Sequence, residues 1–245
     1  FIDGFQFEPK RFRIPPKVAS QIDLVQQLTL MSVADALEDA GFTANTTFSN
    51  ERVGVILGNS MGGESSDDHT VRTRLPEIVQ HVTSGTTFGS LSSEERSALL
   101  QDIERSKESL PSINEDTMPG ELANVVAGRI ANAFDFNGPN YTVDAACASS
   151  MAAIQAAVKG LHDGELDMAI TGGADRSMGV PTYVKFSKIG ALSADMSAPF
   201  DERANGFVMG EGCAILVLKR LSDAERDGDR IYATIRGIGA SSDGK

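Results

Sequence analysis

Short apolar runs alternate with helix-like stretches along most of the chain, and this alternation constrains the fold more than any other feature. Residues 53–57 in "RVGVILGNS" and 168–171 in "DMAITGGAD" are almost wholly apolar, as strands buried on both faces are. Residues 18–40 instead repeat apolar side chains at helical spacing and end at Gly41. Strands that alternate with helices predict an α/β fold, with a mixed sheet between helix layers.

Further elements follow the same alternation. Residues 119–134, "PGELANVVAGRIANAF", predict one helix with Leu122, Val126, Ile130 and Phe134 along a buried face. "GCAILVLKRL" and "IYATIRGIGASS" are strand candidates joined by the short helical "SDAERDG". Residues of about 60–117 are polar and predict a helical and loop excursion from the sheet, in which Ser92-x-x-Glu95 fits a capping box. The glycines of "GNSMGGESS" lack the lysine of a P-loop and indicate close backbone packing near a site.

Composition excludes several classes of function. The 245 residues are 41% hydrophobic, which suits a single folded domain over 1–245. A net charge of −12 disfavours nucleic-acid binding, because phosphates would be repelled. The sequence has no run of about 18 apolar residues, so no membrane span is predicted. The two cysteines form no C-x-x-C pair, so no metal site is predicted. They suit a reducing cytoplasm, and composition leaves a single disulfide between them open as the alternative.

One segment is locally basic despite the acidic balance. "KRFRIPPK" carries Lys10, Arg11, Arg13 and Lys17. Such a segment is either a solvated loop or a docking patch for an acidic partner. Composition alone leaves both interpretations open.

Cys147 occupies a position that favours a reactive thiol. It lies in "YTVDAACASSMAAIQAAVKGL", between a short β-compatible run and a helical repeat of Met151, Ile154, Val158 and Leu161. A helix N-terminus offers unpaired N–H groups and partial positive charge, which favour a thiolate and stabilise an oxyanion. The small neighbouring residues leave room for a substrate carbonyl. Junction geometry alone also allows Cys147 to be a small buried hydrophobe, as Cys213 in "CAILVL" is expected to be.

Several motifs, in order, resemble the β-ketoacyl synthase (ketosynthase) family of the thiolase-like superfamily. "VDAACASS" resembles the family's nucleophile motif, with Cys147 at the nucleophile position. "PFDERANGFVMGEG" resembles a second signature, and "SSDG" after "IRGIGA" resembles the start of the family's second half. "FRIPP" and "YVKFSKIGALS" are similar to ketosynthases of polyunsaturated fatty acid and polyketide synthases. The resemblance implies the N-terminal half of a thiolase-like fold, plus the first strand of the second half within 231–245.

The resemblance implies a decarboxylative Claisen condensation. In that reaction an acyl group moves from a phosphopantetheine thioester to Cys147, and malonyl-acyl carrier protein then supplies the attacking enolate. No metal or organic cofactor is implied beyond the phosphopantetheine that carries the substrate. The implied partner is acyl carrier protein, for which the basic segment is a candidate docking patch.

The resemblance also assigns other positions. Leu122, Phe186 and Phe207 match acyl-pocket positions, although core packing would use the same residues. Relatives are homodimers that pair a strand across the twofold axis, here residues 142–145. The family's two histidine motifs are absent, and His69, His81 and His162 match neither. The chain is therefore expected to be incomplete at both ends, inactive alone in condensation, and possible to complement with the missing half as another chain.

Two alternatives share the same fold. A catalytically silent ketosynthase-like subunit would shape chain length or bind carrier protein, but such subunits usually lack the cysteine. A degradative thiolase would have different residues around the nucleophile, and "PFDERANGF" argues against it. The condensing acyltransferase is the main hypothesis.

Overall fold

One mixed four-stranded sheet forms the centre of the molecule. The computed structural model describes residues 2–42, 48–242 and 244. The strands are β1 Val53–Gly58, β2 Asn140–Val143, β3 Met168–Asp175 and β4 Gly212–Lys219, in the order β2-β1-β3-β4. β1 runs parallel to both β2 and β3, whereas β4 is antiparallel to β3. The predicted α/β fold with a mixed sheet is confirmed.

Ten α-helices and one short 3-10 helix occur among the described residues. They are the 3-10 helix Pro9–Phe12, α1 Pro16–Ala19, α2 Leu24–Asp39, α3 Ser65–Ser84, α4 Thr86–Ser90, α5 Ser93–Ser109, α6 Thr117–Glu121, α7 Val125–Phe134, α8 Ser149–His162, α9 Val180–Lys188 and α10 Leu221–Asp227. In the described part of the chain, no helix has both the length and the apolar character needed to cross a bilayer.

Helices cover both faces of the sheet. Side chains of α2 and α7, such as Leu30 and Ile130, pack against Val55 and Ile170 on one face. On the other face, Ala153 and Ala157 of α8 belong to a second cluster of buried apolar residues. Successive strand residues point to opposite faces, so one strand supplies both clusters. β1 is apolar and buried at every position, because helices cover both of its faces.

Two predicted long helices are each divided in the structure. The helix predicted at 18–40 is interrupted after α1, and α2 begins anew where the Asp23 carboxylate accepts a hydrogen bond from the N–H of Val25 at 2.8 Å. The helix predicted at 119–134 breaks at Leu122. The Gln26 side chain donates to the carbonyl oxygens of Gly120 at 2.7 Å and Leu122 at 3.3 Å, so it takes acceptors that a continuous helix would use internally.

The buried face of α8 differs from the prediction. Met151 is 59% exposed, and the buried positions are mainly small ones: Ala153, Ala157 and Gly160, with Leu161. A Cβ added at Gly160 would lie 2.9 Å from the side chain of Leu166. The end of the helix therefore packs closely on Leu166, just before β3, and small residues rather than large apolar ones mark most of its inner face.

The polar segment forms helices, whereas the last predicted strand does not form. Helices α3 to α5 span residues 65–109, and Ser92 and Glu95 form both bonds of the capping box. Residues 231–242 contain neither helix nor strand, and Tyr232 is 73% exposed. This segment buries little apolar surface and pairs with no described strand, so it lacks the contacts that stabilise a β-strand. Asp243 and Lys245, at the predicted start of the second half, lie outside the described residues.

Candidate active site

Cys147 lies at the junction between a strand and a helix, as predicted. β2 ends at Val143 and α8 begins at Ser149, so the cysteine sits in the turn that connects them. Its residue is exposed to solvent. The partial positive charge of the α8 N-terminus is therefore within one turn of an accessible thiol.

Local hydrogen bonds hold this turn. The Asp144 carboxylate accepts from the N–H of Ala146 at 2.9 Å. The Ser149 hydroxyl accepts from the N–H of Ala145 at 2.9 Å and donates to the carbonyl oxygen of Ala146 at 2.6 Å. Ala146 has a φ of +48°, in the left-handed region that residues with a Cβ rarely adopt. The residue before Cys147 is thus held in an unusual backbone conformation.

Glycines at two strand ends let α8 approach the sheet. A Cβ at Gly58, the last residue of β1, would lie 2.4 Å from the backbone of Ser149 and Ser150. A Cβ at Gly173 in β3 would lie 2.8 Å from the Cβ of Ser150. Since even an alanine methyl would collide with backbone at Gly58, this position requires glycine. The first turn of α8 is consequently seated directly on the sheet.

Asn59 joins the ends of all three parallel strands, and the sequence interpretation missed it. Its N–H donates to the carbonyl oxygen of Val143 at 3.2 Å, and its side-chain amide donates to that of Ala174 at 2.8 Å. Its side-chain oxygen accepts from the N–H of Gly62 at 2.9 Å. A polar residue directly after a wholly apolar strand was the available signal, because such a residue is buried only with partners.

Asp23 fixes the glycine-rich loop that follows β1. This carboxylate is 2% exposed and accepts from the N–H groups of Glu64 at 2.9 Å and Ser65 at 2.8 Å, and from the Ser65 hydroxyl at 2.6 Å. A Cβ at Gly63, whose φ is +111°, would lie 2.2 Å from the same carboxylate. The loop glycines thus serve close packing, as the sequence predicted.

Cys213 contrasts with Cys147. It lies in β4 and is half-buried. Burial raises the pKa of the Cys213 thiol above its usual range, outweighing hydrogen bonds from Ser32 and Thr29 that act in the opposite direction. The neutral Cys213 thiol is a poor nucleophile, and it is also less accessible than the exposed Cys147.

Two of the three predicted acyl-pocket residues lie together. The rings of Phe186 and Phe207 meet edge to face, with centroids 5.4 Å apart. Leu122 lies in the break between α6 and α7 and is 43% exposed. The aromatic pair forms an apolar patch, while Leu122 presents its side chain to solvent in this chain.

The predicted basic patch is partly neutralised. Arg11 forms ion pairs with Asp35 and Glu38, at 3.4 and 3.5 Å. Lys17 pairs with Glu115 at 2.9 Å. Lys10 and Arg13 form no ion pair with any described residue, and both are exposed. The positive charge available to a partner is therefore concentrated on these two side chains.

The histidines occupy different environments. His69 is buried in α3, where its Nδ1 contacts the carboxylate of Glu121. His81 and His162 are exposed. Across the described ranges, no three His, Cys, Asp or Glu side chains are grouped closely enough to hold a metal ion.

β2, the strand expected to pair across a dimer axis, lies at the edge of the sheet. Its only neighbour among the described strands is β1, and Tyr141 is 42% exposed. Edge strands present unpaired backbone groups to which another strand can bond. The position of 142–145 is therefore compatible with strand pairing between two copies.

Comparison with known proteins identifies relatives across the whole chain. A polyunsaturated fatty acid synthase component of Thraustochytrium sp. is 37% identical over all of this chain, which spans 8% of that relative. A pikromycin polyketide synthase component of Streptomyces venezuelae is 33% identical over 99% of the chain, which spans 13% of that protein.

Solved structures show the same fold. The ketosynthase from module 6 of the Bacillus subtilis bacillaene synthase matches with a TM-score of 0.65 and 30% identity, covering 96% of this chain and 36% of that one. An oxazolomycin ketosynthase domain of Streptomyces albus matches with a TM-score of 0.68 and 30% identity, covering 94% and 33%. Residues 1–224 match the family described as β-ketoacyl synthase, N-terminal domain. The chain therefore belongs to the β-ketoacyl synthase family.

Proposed function

We propose that this chain is the acyl-accepting part of a β-ketoacyl synthase that extends acyl chains in polyketide or fatty acid synthesis. The observation that carries the proposal is the exposed Cys147 in the turn between β2 and α8, within a chain of this family. The relatives are components of large polyketide and fatty acid synthases, of which the chain spans a small share. We infer an acyltransferase.

The first step in this proposal is thioester exchange. The Cys147 thiolate attacks the carbonyl carbon of an acyl thioester, and a new carbon–sulfur bond forms to Cys147. The bond to the pantetheine sulfur breaks, and that sulfur leaves as a thiol after taking up a proton. The N-terminus of α8 offers N–H groups and partial positive charge to the oxyanion formed during the attack.

The second step is condensation. Loss of carbon dioxide from a malonyl thioester leaves an enolate, whose carbon attacks the acyl group on Cys147. A carbon–carbon bond forms, the carbon–sulfur bond to Cys147 breaks, and the thiolate is regenerated. This chemistry needs groups that stabilise the enolate. His69 is engaged with Glu121, and His81 and His162 lie on the surface, so we place those groups outside residues 1–245.

We propose acyl carrier protein as the partner and phosphopantetheine as the carrier of the substrate, with no other cofactor. Lys10 and Arg13 are the basic side chains of the predicted patch that are free to meet an acidic carrier protein. We also propose that β2 pairs across a homodimer axis, since it is an edge strand. Phe186 and Phe207 would contact the acyl chain through their apolar patch.

Labelling with a radioactive acetyl-pantetheine thioester tests the proposal. The polypeptide that contains residues 1–245 is incubated with the thioester as wild type, as Cys147→Ala and as Cys213→Ala. We expect label on the wild type and on Cys213→Ala, and loss of label to background in Cys147→Ala. Label retained by Cys147→Ala would exclude Cys147 as the acyl acceptor. A silent, carrier-binding protein would take up no label in any of the three.

Residues 1–245 produced alone should accept the acyl group without completing the condensation. A β-ketoacyl product formed from malonyl-acyl carrier protein by this chain alone would show that its own residues stabilise the enolate.

A further inference from the structure

The Ser149 hydroxyl bonds the peptide group that precedes Ala145 and the peptide group that follows Ala146. It accepts from the N–H of Ala145 and donates to the carbonyl oxygen of Ala146, at 2.9 and 2.6 Å. Ser149 is 5% exposed, so water competes little for these bonds. One buried side chain therefore holds both ends of the Ala145–Ala146 dipeptide, which directly precedes Cys147.

Ala146 needs such support. Its φ of +48° is disfavoured for a residue with a Cβ, and such a conformation persists only when its surroundings impose it. The Asp144 carboxylate contributes one bond, to the N–H of Ala146, but Asp144 is exposed. Ser149 supplies the two shielded bonds and is therefore the stronger constraint on the turn.

The sheet prevents Ser149 from moving away. The backbone of Ser149 and Ser150 packs so closely on Gly58 that a single methyl group there would lie 2.4 Å from it. The hydroxyl is thus anchored to β1, and the turn is held against the rigid part of the fold. Ser150, the next residue, has the same chemistry, but its hydroxyl makes no hydrogen bond with any described residue.

We propose that Ser149 is a positioning residue, whose hydroxyl holds Ala146 in the left-handed conformation and thereby presents the Cys147 thiol for attack. The inference deepens the proposed function and rests on it for the identity of the nucleophile. The claim about thiol presentation can be tested separately, because it concerns Cys147 with any electrophile.

Alkylation by iodoacetamide measures thiol presentation directly. In the polypeptide that contains residues 1–245, the rates at Cys147 and Cys213 are followed together by peptide mass spectrometry. We expect Ser149→Ala to slow alkylation of Cys147 about tenfold, through loss of two hydrogen bonds. Ser150→Ala, the matched control, should stay within about twofold of wild type. The Cys213 alkylation rate should remain unchanged in both variants. If Ser149 only stabilised the fold, its loss would loosen the structure and accelerate alkylation of Cys213.

Equal or faster alkylation of Cys147 in Ser149→Ala than in Ser150→Ala would overturn the proposal, as would a parallel rise at Cys213. Should Ser149→Ala not fold, Asp144→Ala removes the exposed bond to Ala146 instead. It is expected to slow Cys147 about threefold, and an unchanged rate would overturn the account of a held turn.

The acyl-labelling experiment separates the two claims. Wild type that takes no acyl group, combined with slower alkylation in Ser149→Ala, would remove the proposed function and leave Ser149 as a positioning residue. Wild type that is labelled, combined with equal alkylation in both serine variants, would do the reverse.

Discussion

The strand ends around Cys147 and the helical excursion are each stabilised by a different kind of contact. We define the strand-end region as residues 58–64, 143–150 and 173–175, and the excursion as α3 to α5, residues 65–109. In the strand-end region, Asn59 and Ala174 are bonded although 115 positions apart in sequence. In the excursion, the capping box joins residues three apart, and His69 is the buried residue of its described helices.

This difference predicts where substitutions should reduce the free energy of unfolding most. The strand-end region depends on close backbone contact and on buried hydrogen bonds between distant segments. Small local adjustments therefore cannot replace a contact that a substitution removes or relieve a clash that it creates. The excursion depends on helix caps and surface pairs, each worth little. Chemically identical substitutions should therefore cost much more in the first region than in the second.

Gly58→Ala should have the largest effect. The added Cβ would lie 2.4 Å from the backbone at the start of α8, so we expect the free energy of unfolding to fall by at least about 3 kcal/mol. Gly89→Ala in α4 is the matched control, because no atom lies within 4 Å of its added Cβ. It should be neutral or stabilising by up to about 1 kcal/mol. Urea unfolding measures the free energy of unfolding of both variants. Similar losses in the two would contradict the proposed difference between the strand-end region and the excursion.

Asp23→Ala should have the next largest effect. It leaves the N–H groups of Val25, Glu64 and Ser65 without their acceptor in a buried place, so we expect a loss of about 2–3 kcal/mol. The control is Asp102→Ala, whose carboxylate pairs with Arg105 on the surface of α5. It should cost less than about 0.5 kcal/mol in the same urea experiment. A control as damaging as Asp23→Ala would be inconsistent with this account.

Ser92→Ala should have a moderate and local effect. It removes the hydroxyl that accepts from the N–H of Glu95, so we expect a loss of about 1 kcal/mol. Hydrogen exchange should become faster in the first turn of α5 and stay unchanged in β1 and α8. Faster exchange in β1 would show that the excursion and the strand-end region form one cooperative unit.

Asp167→Asn tests the opposite end of the sheet and should have the smallest effect. The guanidinium groups of Arg52 and Arg220 lower the pKa of Asp167 to about 2. A carboxyl whose pKa is lower in the folded state stabilises the fold above its unfolded pKa of about 3.9, and this contribution disappears as the pH falls towards about 2.

Because Asp167 is 41% exposed, solvent screens these pairs, and we expect less than about 1 kcal/mol at pH 7. The difference in melting temperature between wild type and Asp167→Asn should shrink as the pH is lowered from about 5 to about 2. A difference that grows on acidification would reverse the assigned sign.

The sequence predicted the elements that local pattern determines. The apolar strands β1 and β3, the capping box, the helix end at Gly41 and the junction at Cys147 were correct, since each depends on neighbouring residues. The two divided helices could not be predicted, because Gln26 and Gly120 meet only in the folded chain.

The remaining differences have the same origin. Periodicity includes Met151 in the apolar repeat of α8, but the buried face consists mainly of Ala153, Ala157 and Gly160, and Gly160 packs closely on Leu166. Asn59 was missed although its place directly after an apolar strand was a signal, and Ser149 was missed because the pattern does not show which backbone groups its hydroxyl bonds. Residues 231–242 have strand-like composition, yet a strand also requires a partner.

Mapping the acyl group within the polypeptide is the decisive test of Cys147 as the acyl acceptor. The wild-type polypeptide that contains residues 1–245 is incubated with acetyl-pantetheine thioester, digested and analysed by peptide mass spectrometry. The account predicts an acetyl adduct on the peptide that carries Cys147 and no adduct on the peptide that carries Cys213. An adduct shared equally by the two thiols, or no adduct on a Cys147 that iodoacetamide readily alkylates, would contradict it.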